Sequence, residues 1–118
     1  MATIKSYTDL EQSKKLAEIL PLESADMSYS IIHNIGQEPY HCNIPTFTHA
    51  THDDIPCWSL AALLGILTEN KICHYDDRYY CQYMNEGDEF PIYSTAEYDN
   101  PVDVCMEMIE KLHKLKKL

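Results

Sequence analysis

The sequence predicts an α+β fold: a small antiparallel sheet of two to four strands packed against about three helices. Three observations carry this. Helical apolar patterns with capping signals stand near both ends of the chain. Two runs that together are rich in tyrosine and apolar groups, residues 71–75 and 79–84, are separated by the short polar stretch Asp76, Asp77, Arg78, the pattern of a hairpin. Helices and strands do not alternate regularly, which disfavours a parallel α/β sheet.

The first helix is signalled by Thr8 as N-cap with Glu11 three residues on, a capping-box spacing. It is expected to run to about Leu20 and stop before Pro21, because a residue preceding proline avoids the helical region. Leu10, Leu16, Ala17, Ile19 and Leu20 supply its apolar side, and Lys14 and Lys15 face solvent. Residues 27–32 read as a strand, with a turn at Asn34 and Gly36. Residues 37–54 show no period and read as a long irregular excursion.

Residues 56–67, PCWSLAALLGIL, are apolar on every side of a helix. Such a helix is normally buried, and twelve residues are too few for a bilayer, which needs about 20. This segment is expected to be the central core helix, capped by Asp53 or Asp54 with Pro56 in its first turn and with Leu60, Leu63, Leu64 and Leu67 buried. In the hairpin a three-residue loop would set Cys73 opposite Cys81 and Tyr75 opposite Tyr79. A turn is expected at 85–89 and an edge strand at 90–94, where Pro91 is tolerated. The last helix opens at Asn100–Pro101. Its apolar stripe is Val102, Cys105, Met108, Ile109, Leu112 and Leu115, and Glu107–Lys111 and Glu110–Lys114 are spaced as i,i+4 pairs.

A chain of 118 residues fits a single domain, 1–118. Its net charge of −10 is uneven: residues 22–106 hold fourteen acids against Lys71 and Arg78, a net of −12. Phosphate binding needs clustered Lys and Arg, so direct nucleic-acid binding and anionic membranes are not expected. No basic start followed by an apolar run signals secretion. The five cysteines, Cys42, Cys57, Cys73, Cys81 and Cys105, are scattered without a CxxC pair. Reduced thiols in a cytoplasmic protein are the expectation.

Several constellations bear on chemistry. His41, Cys42, His49, His52, Asp53 and Asp54 lie within fourteen residues. His49, His52 and Asp53 are the candidate metal ligands, since imidazole and carboxylate suit zinc; the spacing matches no recognised motif, and a polar surface loop is the simpler account. Cys57, read at a helix N-terminus, is a candidate nucleophile with His49 or His52 as base, set against an ordinary buried cysteine. The acidic groups Asp53–Asp54, Asp76–Asp77 and Glu86–Asp88–Glu89 sit at turns, where such residues are expected without a metal. The tyrosines around the hairpin read as packing pairs or as a protein interface. No cofactor is expected.

The segments EQSKKLAEILPLESADMSY, IPCWSLAALLGIL and YDNPVDVCMEMIEKLHKLK, in this order, resemble small uncharacterised proteins of bacterial phages, prophages and mobile elements of gut anaerobes. The second segment departs from the pattern at Thr68, where those proteins have proline. The resemblance implies a phage-linked context and a shared fold, and no activity, cofactor or catalytic residue.

The function expected is therefore that of a non-enzymatic accessory protein binding an unknown, basic protein partner. Tyr75, Asp76, Asp77, Tyr79 and Tyr80 are its candidate contact residues. The alternatives are a metal-dependent or thiol enzyme built on the His41–Cys57 region and an acidic mimic of nucleic acid. The edge strand also invites self-association into a homo-oligomer.

Overall fold

A computed structural model describes residues 5–51, 53–68, 70–84 and 90–118. It shows three α-helices and three small antiparallel sheets, an α+β fold. Among the described residues no helix is long and apolar enough to cross a membrane. The chain forms two compact units, Tyr7–Ala62 and Leu63–Leu118 with Met1–Ser6, and the boundary falls inside a helix.

In the first unit, α1 (Leu10–Ala17) is capped by Asp9, not by Thr8. The Asp9 carboxylate accepts from the Gln12 N–H at 2.8 Å, and the Gln12 side chain accepts from the Asp9 N–H at 3.1 Å. Thr8 is already committed. Its N–H donates to the Trp58 carbonyl at 3.0 Å, its Oγ1 accepts from the Trp58 N–H at 3.1 Å, and it is fully buried. With Thr8 drawn inward, the capping box moves one residue along the chain. The helix also ends earlier than expected. The N–H groups of Glu18 and Ile19 bond three residues back, to Lys15 and Leu16, a tightening common at helix ends. Ala17 is exposed, whereas Leu16 and Leu20 are buried.

Strand β1 (Met27–Tyr29) pairs with Ile55–Cys57, so residues 55–57 are a strand, not the first turn of a helix. Pro56, which has no N–H to give a ladder, lies opposite Ser28. Ser28 directs its own backbone groups to the other side, exchanging bonds of 2.9 and 3.0 Å with Thr46. Proline is tolerated where the ladder asks nothing of it. Strands β2 (Ile31–Ile32) and β3 (Tyr40–His41) form a second ladder, and Ile55–Cys57 is β4. Trp58 is fully buried and donates its indole N–H to Ser24 Oγ at 3.0 Å.

Helix α2 (Leu60–Ile66) is capped by neither Asp53 nor Asp54. Ser59 Oγ accepts from the Ala62 N–H, and the Asp26 carboxylate accepts from both the Ser59 N–H and its hydroxyl. Nor is this helix buried all round. Leu63 is fully buried, but Leu64 is 43% exposed, and Ala61 and Gly65 face solvent. Alanine and glycine present little area to hide, and single exposed leucines are normal.

In the second unit, β5 (Asn70–Tyr75) and β6 (Arg78–Tyr83) form the hairpin, and β7 (Tyr93–Ser94) pairs with β6 at the edge. The turn has two residues, not three. Asp76 and Asp77 both take positive φ, 51° and 61°, the I′ geometry that matches strand twist. The register therefore shifts. Cys73 lies opposite Tyr80, Cys81 opposite Ile72, and Tyr79 opposite His74, so Cys73 and Cys81 occupy opposite faces. The turn expected at 85–89 lies outside the described residues.

Helix α3 (Pro101–Lys114) begins as expected, with Asn100 Oδ1 accepting from the Asp103 N–H at 2.9 Å and Pro101 in the first turn. Val102, Cys105, Met108, Ile109 and Leu112 are buried, and so are Val104 and Met106; Leu115 is 43% exposed. It is α3, not α2, that is the most deeply buried helix.

Candidate functional site

The exposed end of the β5–β6 hairpin holds three of the five candidate contact residues side by side. Tyr75 is 74% exposed and immediately precedes the Asp76–Asp77 turn. Antiparallel pairing fixes which neighbours share its face. Strand side chains alternate, so Lys71, Cys73 and Tyr75 share the outer face with Arg78, Tyr80 and Gln82. Tyr80 therefore joins Tyr75. Its phenol interacts with the opposing Cys73, and that hydrogen bond raises its pKa above the ordinary tyrosine value. Tyr79 does not join them: it turns to the inner face with Cys81 and Tyr83, stacked on His74 with ring centroids 4.4 Å apart. Arg78 anchors the base of the turn, donating from Nη2 to the Glu97 carbonyl at 3.0 Å.

The histidine-rich loop is arranged differently. His41 Nε2 lies 2.9 Å from the Asp53 carbonyl oxygen, while His49 and Asp53 are exposed. His52 lies outside the described residues. Among the described residues no three His, Cys, Asp or Glu side chains converge to hold a metal ion. Asp54 is a structural fastener. Its carboxylate accepts from the Thr51 and Ile31 N–H groups at 3.0 and 3.1 Å, and these bonds hold its pKa below the usual carboxylate value.

Cys57 sits in β4, not at a helix N-terminus. It has no exposed surface, and its thiol contacts Thr8 Oγ1 and the Thr8 carbonyl. Burial pushes its pKa up. A reactive thiol needs access and a depressed pKa; Cys57 has neither.

Two features escaped sequence reasoning. Ile35 in the expected turn and Ile44 and Phe47 in the irregular stretch are 106%, 69% and 74% exposed, a property no periodicity signals. Glu107, expected to pair with Lys111, instead accepts from the Tyr93 hydroxyl at 2.9 Å, the Tyr98 hydroxyl at 2.8 Å and the Ala96 N–H at 3.2 Å. The bond to Glu107, followed by burial, pushes Tyr98 up to about 12. Lys111 lies 5.0 Å from the Tyr93 ring centroid.

Compared with protein-family models, with curated proteins and with solved structures, the chain finds no match.

Proposed function

We propose that the protein works by contact, binding another protein through the outer end of the β5–β6 hairpin in a phage or mobile-element setting. The observation that carries this reading is Tyr75, an exposed aromatic beside a two-residue turn. Tyrosine brings large area and a hydroxyl at low entropy cost, which is why interfaces favour it. Asp76 and Asp77 extend the patch with negative charge, and residues 22–106 carry a net of −12. A basic partner would be steered to such a surface. The sealed Cys57 and the surface position of His49 favour contact over catalysis.

The test is affinity capture from a bacterial host extract, run in parallel on wild type, Tyr75→Ala and the Asp76→Lys/Asp77→Lys pair. The reading expects one protein retained by wild type, weakened by both hairpin changes, and unaffected by His49→Ala or Cys57→Ala. Stoichiometric zinc in untagged protein, or a turnover abolished by Cys57→Ala, would favour the enzyme reading instead.

A further inference from the structure

The geometry points to a second copy of this chain pairing along the edge of β5 that faces away from β6, in a two-fold antiparallel register centred on Cys73. The inference rests on the backbone ladder and not on the hairpin-tip reading, with which it shares only the Tyr75 side chain.

Among the described residues β5 pairs with β6 alone. On the far side of β6, the Tyr79 N–H donates to the Tyr98 carbonyl, the Cys81 carbonyl accepts from the Thr95 N–H, and the Tyr83 carbonyl accepts from the Ile92 N–H. Tyr79, Cys81 and Tyr83 therefore turn their backbone groups away from β5. The hydrogen-bonded β5–β6 pairs are then Lys71–Gln82, Cys73–Tyr80 and Tyr75–Arg78. Ile72 and His74 therefore direct their N–H and C=O groups away from β6, to an edge that is open among the described residues. The edge strand is six residues long and has neither a proline nor a bulge; of the devices that commonly block edge pairing it carries one lysine, Lys71.

The strand complements itself. A two-fold axis through Cys73 sets Ile72 opposite His74 of the second copy, and the reverse, so all four outward groups find partners. Lys71 then faces Tyr75 of the other copy, not another lysine. Like charges directly opposite are avoided and a cation–π contact becomes available. No acid lies within β5. The joined sheet would place α3, which packs on β6, and its symmetry mate over strands three spacings apart, about 14 Å. Helices pack at about 8–10 Å, so the two fit side by side without collision. Cys73 would meet its own copy in a non-hydrogen-bonded pair with Cα atoms about 4.5 Å apart, within disulfide reach.

Sedimentation equilibrium across the micromolar range tests this. Wild type is expected to rise from 13.7 kDa towards twice that mass. Ile72→Pro, which replaces an outward N–H and leaves the β6 ladder intact, should weaken the dimer about tenfold or more. As a second readout, diamide accepts the two electrons and two protons released as thiols join. It should yield a covalent dimer in wild type and none in Cys73→Ala. A single 13.7 kDa species at every concentration, a dimer indifferent to Ile72→Pro that remains folded by circular dichroism, or a covalent dimer surviving Cys73→Ala would overturn the proposal. A monomer whose captured partner is lost on Ile72→Pro would also overturn it, assigning the edge to a strand of that partner.

Discussion

Glu107 shows how a single side chain can serve a role its spacing does not announce. A glutamate four residues before a lysine on a helix suggests a surface ion pair worth a few tenths of a kcal/mol. The carboxylate instead collects two phenols and a backbone N–H from the segment around β7. Bonds to a charged acceptor are worth more, and the abandoned donors add a penalty. Glu107→Ala is expected to cost about 1.5–3 kcal/mol in urea unfolding; a cost near 0.3 kcal/mol would return Glu107 to the ion-pair role. The same environment sets a pH dependence. Burial, then the neighbouring Cys81, pushes Cys105 up to about 12, and burial pushes Cys81 itself to about 11, while the bond to Glu107, followed by burial, pushes Tyr98 to about 12. Groups with raised pKa hold their protons more tightly when folded, so the stability they provide is complete below the unfolded values and is lost as pH rises through the folded ones. Those unfolded values are 9.0 for the thiols and 10.0 for the phenol. Denaturation midpoints should therefore fall steadily above pH 9.0. Unchanged midpoints up to pH 12 would contradict the burial of these groups.

At the scale of elements, helices α1 and α3, the hairpin and the edge position of β7 were legible because their signals are local: cap residues, periodic stripes and paired β-rich runs. Boundaries and registers were not, for tertiary reasons. Thr8 has the chemistry of a cap, yet its backbone and hydroxyl are claimed by Trp58. Two adjacent positive-φ aspartates are uncommon enough that a three-residue loop was the natural expectation. Residues 56–67 gave the largest misreading, since unbroken apolarity cannot distinguish a strand followed by a half-exposed helix from one buried helix. The corrected assignment separates neighbouring leucines sharply. Leu63→Ala should cost about 2–5 kcal/mol, whereas Leu64→Ala should stay within about 0.5 kcal/mol. Equal costs in thermal or urea unfolding would restore the helix buried on every side. The cap is checked likewise: Asp9→Ala should cost about 1 kcal/mol, and no loss would mean that the observed box contributes nothing.

For the molecule as a whole, what the sequence could deliver was a class, α+β, and a charge distribution. The candidate site was partly visible. Tyr75, Asp76, Asp77 and Tyr80 were brought together by the hairpin, while Tyr79 was removed from the group because a one-residue register change sends a strand's side chains to the other face. The exposed Ile35, Ile44 and Phe47 had no sequence signal, because no periodicity in a turn or an irregular stretch marks which apolar residues face solvent. Recognition by the hairpin end is the central claim. Its most direct measurement is the affinity of the captured partner for wild type and for Tyr75→Ala, titrated side by side with both proteins folded by circular dichroism. A central interface tyrosine contributes about 2 kcal/mol or more, so the account predicts a loss of about thirtyfold. An unchanged affinity would contradict it.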